Sequence, residues 1–194
     1  KRYKHCHGAT GERGGSAARA ASPPSTPAAP DPIRERLTTA LSAHQRGDTQ
    51  AAALLYREVL AREPSHPVAQ HYLGVIEYQR HALAEALPLL ESSVAAMDTE
   101  PEFHNNLGLA YAAAGREQDA ITQYRAALAL NAHHAVAWNN LGLALQSLNQ
   151  IDAAIDSFRR AIAIDPRFAQ AHWNVSLALL VSGRFRDGFA EYDW

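Results

Sequence analysis

The sequence contains a single cysteine, Cys6, among its 194 residues, and this scarcity excludes a disulfide framework within the chain. A basic excess is also lacking, because 18 Lys and Arg residues stand against 20 Asp and Glu residues, a net charge of −2. A general nucleic-acid-binding protein would carry a strong basic excess, so we expect no nucleic-acid partner. Apolar residues nevertheless make up 47% of the chain, which is enough to build a sizeable core.

Long apolar runs are missing as well. A transmembrane helix needs about 20 consecutive apolar residues, and no stretch of the sequence approaches that length. The basic residues at the start are not followed by the apolar segment of a secretory signal. We therefore expect a cytoplasmic protein with no membrane partner.

Sequence motifs of catalytic sites are absent too. The chain has no H-E-x-x-H motif, no G-x-S-x-G nucleophile elbow and no G-x-x-x-x-G-K-[ST] phosphate loop. No residue can be given a bond-making role, so we predict that this chain is not itself an enzyme. The chain opens on Lys1 and closes on Trp194. We interpret both ends as cuts within a longer protein, which leaves open whether the whole protein is an enzyme.

Residues 9–30 differ in composition from the rest of the chain. They are rich in Gly, Ala, Ser and Pro and contain no large aliphatic residue. Ordering the backbone costs about 1–2 kcal/mol per residue, and such a segment buries nothing that offsets this cost. We predict a disordered N-terminal tail in which residues 9–30 form a flexible linker.

From residue 31 onward the sequence repeats with a fixed period. Apolar residues follow a helical spacing that is interrupted at regular intervals, and every complete unit is 34 residues long without insertion or deletion. A period of this length predicts one pair of helices in each unit. Units one to five are 33–66, 67–100, 101–134, 135–168 and the incomplete 169–194.

Small and bulky residues recur at fixed positions of these units. A Leu-Gly pair lies in the first half of units two to four, as at Leu107-Gly108, and an alanine follows twelve positions later, as at Ala120. Four positions after the alanine comes a bulky residue, which is Tyr124 in unit three. Small residues at these points allow two helix axes to approach closely, and the bulky residue fills the space beside them. One helix pair cannot bury its apolar face alone, so the units must stack.

Unit four carries a family resemblance through six residues: Trp138, Leu141, Gly142, Ala154, Phe158 and Pro166. They match the W-x2-L-G…A-x3-F…P signature, and the array from residue 31 to 194 therefore resembles tetratricopeptide repeats. The resemblance implies an all-α fold, a right-handed solenoid of antiparallel helix pairs. It also implies a scaffold that binds a protein or an extended peptide through its concave face.

Some positions depart from the repeat pattern. His81 replaces the glycine that ends the first helix in other units. Pro88 falls inside the second helix of unit two, where it should bend that helix or delay its start. His104 and His172 occupy the position of Trp138, and we expect them to pack between helices as aromatic substitutes.

Asparagine recurs on the first helices, at Asn106, Asn140 and Asn174, and Tyr72 takes its place in unit two. Asparagine competes with the backbone in a helix interior, so its recurrence needs a reason. The family resemblance places this position on the concave wall, where amides can hydrogen-bond the backbone of an extended peptide. The alternative is that the amides bond neighbouring helices and stabilise their stacking. The other predicted peptide contacts are Asn105, Asn139 and Trp173, and an apolar strip of Val75, Leu109, Leu143 and Leu177.

The first eight residues form a separate motif. They end in Cys6-His7-Gly8 after a basic run, and they resemble the second half of the small C-x-C…C-H zinc motif found at the C-terminus of the SecA translocation ATPase. The resemblance implies that Cys6 and His7 are two of the four ligands of a zinc ion. The other two cysteines would have to lie upstream of Lys1, so no cofactor is expected in this chain alone. The alternative is a basic tail without a metal.

Residues 183–194 carry another resemblance. They follow the pattern G-x-[FY]-x-x-G-[WF], which is similar to the last repeat of bacterial proteins in which a further domain follows. In many such proteins, repeats with the asparagine column precede a glycosyltransferase related to O-linked N-acetylglucosamine transferase. The resemblance implies an alternative function, the substrate-recognition arm of a larger glycosyltransferase whose catalytic domain lies beyond Trp194.

Overall fold

The computed structural model describes residues 32–193, so the predictions for Cys6, His7 and the linker 9–30 lie outside the described residues. All regular structure between residues 32 and 193 is α-helical. Each of the five units contributes two consecutive helices. The helices are α1 Pro32–Gln45, α2 Thr49–Arg62, α3 Pro67–Gln79, α4 Leu83–Ala96, α5 Pro101–Ala113, α6 Glu117–Leu130, α7 Ala135–Ser147, α8 Ile151–Ile164, α9 Ala169–Val181 and α10 Phe185–Tyr192.

The helices pack as consecutive hairpins that stack on one another. The two helices of a unit form the most extensive contacts, and each second helix also packs against the first helix of the next unit. Successive first helices, such as α5 and α7, approach one another more closely than successive second helices do. The stack therefore curves with the first helices on its concave side. The predicted all-helical solenoid of helix pairs is confirmed.

The predicted close approach of the two helices in a unit is also present. A Cβ added at Gly108 would lie 2.5 Å from the ring of Tyr124, and one added at Gly74 would lie 2.8 Å from Leu90. Real Cβ atoms essentially never come within 3.0 Å of such neighbours. The alanine of the second helix at this crossing, Ala120 in unit three, is completely buried. The glycine and the bulky residue thus fit each other inside every complete unit that has the Leu-Gly pair.

The turn between the two helices of a unit uses a left-handed backbone conformation. Gly115 has a φ of 71°, and His81 and Asn149 adopt φ values of 61° and 59° at the same position of their units. Side chains other than glycine adopt this region at a cost, which asparagine bears best. Unit two therefore has the same turn conformation with His81 in place of glycine, and this conformation is strained at His81.

Pro88 leaves the bounds of its helix unchanged. The helix α4 runs from Leu83 to Ala96 with Pro88 inside it, in the same register as the second helices of the other units. Of the two expected effects, the delayed start is not found. The reason lies in the packing around it, since Ala86 and Leu90 are completely buried and hold the turn against α3.

No helix within residues 32–193 combines the length and the apolar character needed to cross a bilayer. The longest helices have 14 residues, such as α2 and α8, whereas a membrane span takes about 20.

Candidate binding surface on the first helices

The predicted site residues fall into two adjacent rows along the first helices. Counting from the first residue of each unit, position five is held by His71, Asn105, Asn139 and Trp173. Position six is held by Tyr72, Asn106, Asn140 and Asn174. Both rows lie on helices α3, α5, α7 and α9, which form the concave side.

The side chains of these two rows bond one another across the units. Asn140 Nδ2 donates to Asn105 Oδ1 at 3.0 Å, and both side chains are buried. Asn174 Nδ2 donates in the same way to Asn139 Oδ1 at 2.8 Å. Position six of units four and five thus donates to position five of the preceding unit. This is the interhelical arrangement that the sequence analysis kept as the alternative to a direct grip on a peptide.

These side-chain hydrogen bonds between units form an amide ladder, and two of its polar atoms remain without a partner. Within residues 32–193, Asn139 Nδ2 and Asn140 Oδ1 have no hydrogen-bond partner. Neither atom is among those sealed from solvent without a partner. A donor and an acceptor on consecutive residues therefore remain unpartnered and in contact with solvent, although Asn139 and Asn140 are only 4% and 8% exposed.

The ladder ends differently in unit two. His71 Nε2 lies 3.2 Å from Asn106 Nδ2, so the imidazole takes the place of the accepting amide. The ring is 2% exposed and stacks on Phe103 with centroids 3.8 Å apart. Burial, and secondly the charge of His44, lowers the pKa of His71 to about 4. The ring is therefore neutral near pH 7, and the sequence analysis did not single it out.

Tyr72, a predicted peptide contact, belongs to a cluster of rings between units one and two. It stacks on Tyr56 with centroids 5.8 Å apart and an interplanar angle of 11°. It also meets the rings of His44 and His71 edge-on, each at 5.2 Å. Tyr72 is half-buried, so its ring mainly joins these units.

The apolar strip lies beside the ladder on the same helices. Val75, Leu109 and Leu177 are half-buried, and Leu143 is 43% exposed. Trp173 is 47% exposed and contacts Tyr192, with ring centroids 5.5 Å apart.

Two cavities open along this strip. A cavity of about 110 Å³ is lined by Val75, Leu90 and Leu109 among others. A second, of about 240 Å³, lies between Leu109 and Leu143 one unit further on. Tyr78 lines both cavities, and the sequence analysis missed it. Its position, one residue before the end of α3, gives no polar or periodic signal by which it could have been found.

A second hydrogen-bond row, which the sequence analysis also missed, fastens the loops between units. Trp138 Nε1 donates to the backbone oxygen of Ala132 at 3.0 Å, six residues earlier. His104, His172 and Gln70 use the same position of their units in the same way. Their side-chain nitrogens bond Asp98 O at 3.0 Å, Pro166 O at 3.1 Å and Pro64 O at 2.8 Å. His104 and His172 therefore replace the hydrogen bond of the indole as well as its bulk.

Metal ligands do not gather within the described part of the chain. Between residues 32 and 193, no group of three or more His, Cys, Asp and Glu residues could hold a metal ion. The two predicted zinc ligands, Cys6 and His7, lie outside the described residues.

The family models that match the sequence all describe the same family. Three family models, each described as a tetratricopeptide repeat, match residues 37–101, 101–134 and 135–168. No curated protein matches the sequence.

Solved structures share the fold over most of the chain. One crystal structure of the MamA protein has 25% sequence identity and a TM-score of 0.74, and it covers 83% of this chain and 88% of that one. Another MamA crystal structure has 27% identity and a TM-score of 0.72, covering 79% and 90%. The crystal structure of YrrB, described as a TPR protein with an unusual peptide-binding site, has 18% identity and a TM-score of 0.70, covering 81% of each chain.

Proposed function

We propose that this chain, which belongs to the tetratricopeptide repeat family through residues 37–168, is a non-catalytic scaffold that binds a protein or an extended peptide along its concave face. The observation that carries the proposal is the apolar strip of the first helices, which stays open to solvent beside two accessible amide atoms. Leu143 and Trp173 are both more than 40% exposed on this face. Covering such side chains with a partner is favourable, at about 25 cal/mol for each Å² removed from water.

The amide ladder contributes to this surface in two ways. Its interhelical bonds fix the spacing of neighbouring first helices, so that the groove is shaped before a partner arrives. The accessible Asn139 Nδ2 and Asn140 Oδ1 supply one donor and one acceptor, which is what the C=O and N–H of an extended peptide require. We thus place direct recognition at Asn139 and Asn140, and a positioning role at Asn105, Asn106 and Asn174.

The size of the cavities favours side chains as their occupants. Sites for small-molecule ligands usually have volumes of about 300–1,000 Å³. The two cavities along the strip measure about 110 and 240 Å³. Each therefore suits one side chain of a bound peptide. YrrB, a TPR protein with an unusual peptide-binding site, is a precedent for this use of the fold.

The test selects peptides from a randomised display library with the chain as bait and measures their affinity by fluorescence anisotropy. Leu143→Ser removes an exposed apolar side chain of the concave face, and Leu54→Ser removes one that is 56% exposed on the second helix α2. We expect Leu143→Ser to weaken binding about tenfold, which corresponds to about 1.4 kcal/mol. Leu54→Ser should leave the affinity unchanged. Equal effects of the two substitutions would place binding elsewhere.

The alternative function is the substrate-recognition arm of an O-GlcNAc-transferase-like glycosyltransferase. Its support is the asparagine column at 106, 140 and 174 together with the pattern of residues 183–194. Sequencing the gene beyond the codon of Trp194 tests it. A sugar-nucleotide-binding domain would support this alternative, and a stop codon or an unrelated domain would refute it.

For the N-terminal motif we propose zinc binding that depends on two further cysteines. Elemental analysis of residues 1–194 should find no stoichiometric zinc, because Cys6 and His7 supply two of the four ligands that a structural zinc site takes. A chain extended upstream to include two cysteines should bind one zinc ion. Loss of that zinc on substituting Cys6 and His7 would identify the ligands, and its retention would contradict the assignment.

A further inference from the structure

The cavity between units three and four combines apolar walls with a group of oxygen atoms. Its walls include Leu109, Ala112 and Leu143. The polar side chains that line it are Tyr78, Glu117, Tyr124, Asn140 and Ser147. We call it the Glu117 cavity.

Glu117 is the charged residue of this cavity. It begins α6, and its Oε2 is buried without a hydrogen-bond partner within residues 32–193. A buried carboxylate oxygen without a partner is costly, so such atoms are normally paired with a donor or a cation. A carboxylate at this place is peculiar to unit three, because the corresponding residues of the other units are Thr49, Leu83, Ile151 and Phe185.

The basic residue next to Glu117 in the sequence is already engaged elsewhere. Arg116 precedes Glu117, but its guanidinium bonds Asp119 at 2.7 Å and lies 3.5 Å from Glu91. It also sits over the ring of Tyr111, 4.2 Å from the centroid. No ion pair of Glu117 is present within residues 32–193. The carboxylate is thus left for a cation from outside the chain.

The other polar groups of the cavity are oxygen acceptors as well. Asn140 Oδ1 has no partner in the described structure, since that amide uses only its nitrogen in the ladder. Tyr124 is 1% exposed, and burial followed by the proximity of Tyr78 and Glu117 raises its pKa above the ordinary value. The phenol of Tyr124 therefore stays protonated near pH 7, and its oxygen, like that of Tyr78, can accept a hydrogen bond.

We propose that the Glu117 cavity binds the side chain of a lysine from the protein or peptide in the groove, with its ammonium group on Glu117 and Asn140. The inference rests on the proposed function and specifies its partner. Lysine combines an apolar stem with three N–H donors at its end. The apolar stem can pack against Leu109, Ala112 and Leu143. The ammonium group can donate hydrogen bonds to the oxygens of Glu117, Asn140 and the two tyrosines.

The neighbouring cavity provides an internal contrast. Its lining of Val75, Leu90 and Leu109 carries no carboxylate, and its volume of about 110 Å³ is less than half that of the Glu117 cavity. It should accept an aliphatic side chain. A ligand that occupies both cavities would therefore carry an aliphatic residue and a lysine in the same extended segment.

The test titrates the isotopically labelled chain with N-acetyl-lysine N-methylamide and follows backbone amides by NMR. N-acetyl-norleucine N-methylamide is the matched probe that lacks the ammonium group. With the lysine probe we expect saturable chemical-shift changes at the backbone amides of Asn140, Leu143 and Tyr124. The norleucine probe should bind about tenfold more weakly. Glu117→Gln should remove this preference. Glu85→Gln, which deletes a carboxylate in the first turn of α4, should keep it.

Three results would overturn the inference: no saturable shift around the cavity, equal affinity for the two probes, or an unchanged lysine preference in Glu117→Gln. A melting curve of Glu117→Gln shows whether that variant remains folded, and the comparison of the two probes on the unsubstituted chain needs no variant. The proposed groove function is tested separately by Leu143→Ser and Leu54→Ser. Peptide binding without a lysine preference would refute the cavity assignment and leave the scaffold function standing.

Discussion

The side-chain nitrogen of Asn140 donates a 3.0 Å hydrogen bond to the side-chain oxygen of Asn105, which lies 35 residues earlier on the preceding first helix. The same relationship joins Asn174 to Asn139 and, with an imidazole as acceptor, Asn106 to His71. Because a spacing of 35 residues is one unit plus one residue, each bond runs from position six of one unit to position five of the unit before it. A row of asparagines thus sets the register between successive helices of the concave face.

Asn140→Ala should lower the free energy of unfolding by about 1–3 kcal/mol, because it leaves the buried Asn105 Oδ1 without a donor. Asn105→Ala and the double variant complete a cycle, and the coupling of the two residues should be about 0.5–3 kcal/mol. Urea unfolding measures all four proteins. Gln50→Ala, an exposed position of α2, is the control and should have no effect. Additive losses would show that the two amides are not coupled.

Gly108→Ala tests the close approach within a unit. Alanine favours a helix over glycine by about 1 kcal/mol, so propensity alone predicts a gain in stability. The added Cβ would however lie 2.5 Å from Tyr124, and overpacking costs about 1–3 kcal/mol. We expect a net loss in thermal unfolding. A stabilised variant would mean that the ring of Tyr124 moves aside without cost.

His81→Gly should stabilise the chain. The residue holds a φ of 61°, and a side chain other than glycine costs about 1–2 kcal/mol in this conformation. A gain of about 1 kcal/mol would raise the melting temperature by about 2–4 °C for a domain of this size. Gly115→Ala is the reverse experiment, since an added Cβ there meets nothing within 4 Å and tests the backbone alone. An unchanged melting temperature in both variants would show that the turns carry no strain.

Much of the fold could be predicted from the sequence because its main contacts are local and repeated. The contact of Gly108 with Tyr124 spans 16 residues, and its counterparts recur in the other units with a fixed period. The bonds between units depend instead on how one helix pair is rotated against the next. For that reason the sequence left two roles open for the asparagines, and their mutual pairing required the structure.

The residues that matter most for the candidate site are harder to identify from the sequence than the repeat itself. In the sequence, nothing distinguishes Glu117 from an ordinary acidic residue in the first turn of a helix, where such residues usually face solvent. It lines its cavity together with Tyr78 and Asn140, which come from other helices. His71 likewise becomes a buried acceptor through Phe103 and Asn106 of the next unit. Chemistry that is assembled between units is therefore not visible in the pattern of one unit.

The last prediction concerns the stability of the array in acid. The native pKa of His71 is about 4, below the 6.5 of a free histidine, because burial and the nearby His44 disfavour the charged ring. Between these two values the unfolded chain binds a proton that the native chain does not. Stability should therefore fall as the pH drops from 6.5 towards 4, by up to about 3 kcal/mol from this residue.

His71→Asn isolates this contribution. It places in unit two the residue that units three and four use at position five, and its Oδ1 can accept the bond from Asn106. Urea unfolding at about pH 7 and about pH 4.5 should show a smaller loss of stability in this variant than in the unsubstituted chain. His44 should remain responsible for part of the acid sensitivity, because burial lowers its pKa too. His133→Asn, at an exposed loop position, should leave the pH dependence unchanged. Identical pH dependence of His71→Asn and the unsubstituted chain would show that His71 is not held neutral by its site, since a ring that titrates alike in both states contributes nothing to the slope.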